Sequence, residues 1–103
     1  MLEKILYADS GTGHTQEMLE VLMDFPAVRK SAITILHVVP PQITTEALTE
    51  KWEEGSQVLT KILESVKLDP SKISTVLRQG EPKDIVCQVA EETDADLILM
   101  GSR

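Results

Sequence analysis

The sequence predicts an α/β fold built on a parallel sheet, and three observations carry that expectation. Short apolar runs at residues 4–9, 32–39, 72–79 and 97–100 alternate with longer stretches whose apolar residues recur at helical spacing. Strands that alternate with helices are joined by crossovers, which leaves neighbouring strands parallel. The last run, Leu97-Ile98-Leu99-Met100, is apolar without alternation, as in a strand covered on both faces.

Each element follows from its residues. Ile5-Leu6-Tyr7-Ala8, between Lys4 and Asp9, reads as a short central strand. Ser10-Gly11-Thr12-Gly13 is a small-residue loop, and a helix starts at about Thr15. Met18, Leu19, Leu22 and Met23 share one face of it, and Pro26 ends or bends it. Residues 32–39 form the second strand, stopped by Pro40-Pro41. Thr44 or Thr45 caps a long helix. Its apolar positions Leu48, Trp52, Leu59, Ile62, Leu63 and Val66 keep a helical period, which places Trp52 in the core. Gly55 lies on that same face, where a missing side chain lets the helix approach the sheet despite a propensity cost of about 1 kcal/mol. Asp69-Pro70 breaks the helix, and residues 72–79 mix Ile73, Val76 and Leu77 with Ser74, Thr75 and Arg78, the pattern of an edge strand. Gly80 supplies a turn, Pro82 takes the first helical position, and Ile85, Val86, Val89 and Ala90 make one apolar face before the final strand.

Composition narrows the function classes. A chain of 103 residues, 42% hydrophobic and 26% charged, is one small globular domain. The formal charge of −7 argues against binding a phosphate backbone, so no nucleic-acid partner is expected. No apolar run is long enough to span a membrane, and the amino terminus is too short and polar for a secretory signal. Cys87 stands alone, so no internal disulfide can form and a reducing, cytoplasmic setting is expected. His37 and His14 have no further metal-type residue at useful spacing, so no metal site is expected. The sequence offers no nucleophile–base pair and no paired acid–base carboxylates, so catalysis is not indicated.

The segment from Arg78 to Arg103, RQGEPKDIVCQVAEETDADLILMGSR, carries a family likeness. Its Gly80-Glu81-Pro82 turn, its helix and its Asp94-to-Arg103 strand end resemble the universal stress protein family. Members of that family show a G-[DE]-P turn followed by D-A-D-L-[IV]-[VL]-M-G-[ST]-[RH]. The resemblance runs more loosely back to residue 4. It implies a three-layer α/β/α architecture of the adenine nucleotide alpha hydrolase-like kind, with strand order 3-2-1-4 and, in a complete relative, a fifth strand beside the fourth. It further implies a cytoplasmic protein of stress responses, usually a homodimer, that binds an adenine nucleotide such as ATP without clear catalysis. In nucleotide-binding members the phosphate loop runs G-x2-G-x9-G-[ST]. The sequence here carries Gly101 and two residues more, so weakened ATP binding and self-association along the fourth strand are expected.

The site implied by the resemblance comprises Ala8, Asp9, Ser10, Val38, Met100, Gly101, Ser102 and Arg103. The family's first strand reads close to I-L-V-A-V-D-G-S. This chain is one residue shorter there, so a gap aligns Asp9, and without the gap Ser10 takes its place. Read from the residues alone, Asp9 is equally a loop-capping carboxylate. Val38 lies in Leu36-His37-Val38-Val39, which resembles the family's L-H-V-V, whose valine lies beside adenine. Gly101, Ser102 and Arg103 begin the phosphate loop. His37 reads as a strand histidine with a satisfied ring. Two other readings stand beside this one. Ser10-Gly11-Thr12-Gly13-His14-Thr15 resembles the flavodoxin loop [ST]-x-T-G-x-T, which implies an FMN-binding electron carrier. A dimeric interaction module without nucleotide is the other.

Overall fold

The computed structural model describes residues 3–9, 15–22, 24–65 and 70–100. Four parallel strands, β1 (Lys4–Asp9), β2 (Ala32–Val39), β3 (Ile73–Gln79) and β4 (Leu97–Met100), form one sheet in the order β3-β2-β1-β4. The helices are α1 (Thr15–Leu22), α2 (Pro26–Arg29), α3 (Thr45–Ser65) and α4 (Pro82–Thr93). Expectations for Ser10–His14, Met23, Val66, Asp69 and Gly101–Arg103 fall outside the described residues.

Side chains alternate across a strand, so each strand feeds two layers. Ile5 and Tyr7 of β1 join Ile33 and Ile35 of β2 on one face, under Leu19 of α1, Val28 of α2 and Leu59 and Ile62 of α3. Leu6, Ala8 and Leu36 point the other way, under Val86 and Val89 of α4. The three-layer α/β/α arrangement and the strand order agree with the sequence reading. β3 is an edge strand, as its mixed composition implies.

Local signals explain the helix ends. The Ala47 N–H donates to the Thr44 hydroxyl at 3.1 Å, so Thr44, and not Thr45, caps α3. Pro82 opens α4. Asp94, just beyond α4, is left-handed (φ 57°, ψ 43°), and the Ala95 N–H reaches back to the Ala90 carbonyl at 3.0 Å. At Gly55 an added Cβ would lie 2.8 Å from both His37 Cδ2 and Leu77 Cδ1, so the bare backbone is what lets α3 close on β2 and β3.

Four expectations are corrected. Pro26 does not end a helix. It opens α2, since α1 stops at Leu22 and proline fits a first helical turn. Met18 is 45% exposed, on the flank of α1, while Leu19 and Leu22 face the core. Trp52 is 40% exposed. Gly55 lies level with His37, two residues short of the end of β2. Trp52 is three residues nearer the helix start, roughly 4.5 Å along the axis, where the apolar stripe is only partly covered. Finally, β4 is covered on one face only. Leu97 and Leu99 pack into the first core, but Ile98 and Met100 are 43% and 63% exposed, because α4 packs over β1 and β2.

The Tyr7 side chain is 1% exposed, and among the described residues its hydroxyl has no hydrogen-bond partner. An orphaned buried hydroxyl costs about 1–3 kcal/mol. Tyr7→Phe keeps the ring and removes the orphan. We expect it to raise the thermal unfolding midpoint, read by circular dichroism, and a lower midpoint would mean that the hydroxyl is satisfied in solution.

Candidate functional site

In open α/β sheets ligands sit beyond the carboxyl ends of the strands. Here β1 ends at Asp9 and β4 at Met100, while β2 continues two residues past the register partner of Asp9 to Val39. Asp9 pairs in register with His37, and Ala8 pairs with Met100. Beside them the Gly80 N–H donates to the Val39 carbonyl at 3.0 Å. Gly80 has φ +151°, and an added Cβ would lie 2.8 Å from Ile85, so the turn into α4 admits only glycine without strain.

The polar centre of this edge is Asp9. Its side chain is 2% exposed. Oδ2 lies 2.8 Å from His37 Nδ1, and Oδ1 accepts a hydrogen bond from the Thr15 hydroxyl at the first turn of α1. Thr15 is buried, and the His37 side chain is 16% exposed, its ring close to the bare backbone of Gly55. A buried carboxylate needs such partners, because losing water costs it heavily. Among the described residues no group of three or more His, Cys, Asp or Glu side chains is placed to hold a metal.

The residues singled out in the sequence are brought together only in part. The backbones of Ala8, Asp9, Val38 and Met100 end three adjacent strands. Their side chains divide between the faces. Asp9 lies on the side of Ile5 and Tyr7, whereas Ala8 and Val38 pack with Leu6 and Leu36 under α4. Ser10, Gly101, Ser102 and Arg103 fall outside the described residues. His37 is a satisfied strand histidine, as its residue type implies. What the sequence reading missed is that its partner is Asp9 and that Thr15 completes the group. The signal was available only through register, since both residues fall on one face once β1 and β2 are aligned in parallel.

Residues 1–103 match the model of the universal stress protein family over their whole length. The chain belongs to that family. Universal stress protein G of Salmonella typhimurium is 32% identical over 90 residues, which cover 78% of this chain and 63% of that protein. The chain thus spans less than two thirds of the length of that curated relative. Two solved structures share the fold. An Arabidopsis thaliana universal stress protein family protein with AMP bound aligns over 97% of this chain and 76% of its own, at 18% identity and TM-score 0.58. A universal stress protein in complex with cAMP aligns over 94% of this chain and 74% of its own, at 13% identity and TM-score 0.57.

The opposite, amino edge of this family domain carries a cavity of about 380 Å³ lined by Glu3, Lys4, Ala90, Asp94, Ala95 and Asp96. Asp96 spends its carboxylate there on structure. Oδ2 accepts the backbone N–H groups of Glu3 at 3.0 Å and Lys4 at 2.9 Å, and its own N–H donates to the Lys4 carbonyl at 2.8 Å. Those backbone donors, Glu3 first and Lys4 next, hold its pKa below the ordinary 3.8. A depressed carboxylate stabilises the fold above its unfolded pKa, and that contribution is lost as pH falls through the folded value. Asp96→Asn is therefore expected to unfold at lower temperature than the parent at pH of about 7. The difference should shrink as pH drops below about 4. Melting curves across that range check it, and a difference that stays constant in acid would rule the charge out.

Proposed function

We propose that this universal stress protein domain binds an adenine nucleotide across the carboxyl ends of β1, β2 and β4 and acts by binding, without a catalytic step. The observation that supports the reading best is the meeting of Ala8, Asp9, Val38 and Met100 at that edge, at the positions where they match the family pattern. The AMP and cAMP complexes of two structural relatives support the ligand class. ATP is the finer form of the proposal, with Gly101, Ser102 and Arg103 as phosphate contacts. A role in cytoplasmic stress responses is part of the same proposal, and the family membership supports it. Calorimetry with AMP tests the binding. A saturable signal, more than tenfold weaker with GMP, is expected. No signal at about 1 mM AMP, where an interaction of about 4 kcal/mol half-fills a site, would refute the proposal.

Self-association is the second part of the proposal. Among the described residues β4 has no strand on its outer side, and Ile98 and Met100 are exposed on the face next to that edge. Unpaired strand groups beside apolar side chains favour a second copy. Sedimentation at micromolar concentration should show a dimer that Ile98→Lys shifts toward monomer, whereas a monomeric parent would refute it.

A further inference from the structure

We propose that Thr15 and His37 are positioning residues that clasp the Asp9 carboxylate, so that the end of β1, the end of β2 and the start of α1 are held as one unit at the carboxyl edge. The proposal rests on the nucleotide-binding reading for its functional consequence, and on contacts within this chain for everything else. The Asp9 side chain is almost wholly buried, and each of its oxygens is engaged: Oδ1 by the Thr15 hydroxyl, Oδ2 by His37 Nδ1 at 2.8 Å. The three residues come from three elements. β1 ends at Asp9, β2 carries His37 directly across from it, and α1 begins at Thr15.

The chemistry fixes more than distance. A carboxylate only accepts hydrogen bonds, so the imidazole must carry its proton on Nδ1 to be held by Asp9. An unconstrained neutral imidazole favours the proton on Nε2. Asp9 thus selects the minor tautomer of the neutral ring, and Gly55 lies close against that ring, since the place of a Gly55 Cβ lies 2.8 Å from Cδ2. The charged and titratable partner facing His37 is Asp9 from β1. From α3, Gly55 lies close to the ring, and β3 sets Leu77 at the register position beside His37. Asp9 consequently serves the edge by organising it. A nucleotide that approaches the strand ends meets backbone whose positions the clasp has set.

Two measurements on the 103-residue chain test this. The first needs no ligand. Nitrogen-15 NMR of the imidazoles should show His37 protonated on Nδ1. Protonation on Nε2 would overturn the clasp. The second uses AMP. Thr15→Val removes the hydroxyl and should weaken AMP binding about tenfold, while Thr15→Ser, which restores it, should recover the parent affinity. A folded Thr15→Val protein that binds AMP as the parent does would overturn the positioning role. If the parent itself does not bind AMP, the nucleotide reading fails. The clasp then stands or falls on the tautomer of His37 alone.

Discussion

Ile5, Leu6, Tyr7 and Ala8 are each less than a tenth exposed, so β1 has no face left for water. A side chain such as Ile5 or Leu6 gains about 1.5–3 kcal/mol by full burial, but only if something apolar covers both sides of the strand. That requirement sets the rest of the architecture. The odd-numbered side chains demand the layer formed by α1, α2 and α3, and the even-numbered ones demand α4. The backbone groups on both edges of β1 must be paired as well, which β2 and β4 do. Where the apolar run ends, at Asp9, the same burial turns from gain to cost. The carboxylate is tolerable there because polar partners surround it.

Much of this was legible in the sequence, and what was legible was local. Pro82 opening a helix, Thr44 or Thr45 capping one, Gly80 making a turn and Gly55 admitting a neighbour are each read from a few adjacent residues. So was the mixed composition of β3, which marks an edge. The misreadings share a different cause. The helical period shows that Trp52 lies on the apolar stripe of α3, but it does not show where the sheet beneath that stripe ends. An apolar run such as Leu97–Met100 shows that a strand is apolar, but not that α4 leans away from it. The grouping of Asp9, Thr15 and His37 was hidden for a related reason. It depends on a register between strands 28 residues apart in sequence.

The sheet edge also shows how residues of one family pattern come to play unlike parts. Asp9 and Val38 end neighbouring strands, yet their side chains enter opposite layers. Val38 contributes packing and a strand end. Asp9 contributes a buried carboxyl group held by Thr15 and His37. Register brings such residues to one edge of the sheet, but the division of their side chains between layers comes from strand alternation, which a motif does not display.

The central position of β1 has a consequence for how the protein is made. β1 leaves the ribosome first, and its pairing with β2 becomes available once residue 39 is free. Its other edge pairs with β4, which ends at Met100. At about 5–20 residues per second, that edge waits on the order of 5–20 s for its partner. The strand that waits is the one whose Ile5, Leu6, Tyr7 and Ala8 are all buried in the finished fold. The nascent domain therefore passes through a stage in which a bare, sticky strand edge faces the cell, and it is there, before completion, that a chaperone has most to protect.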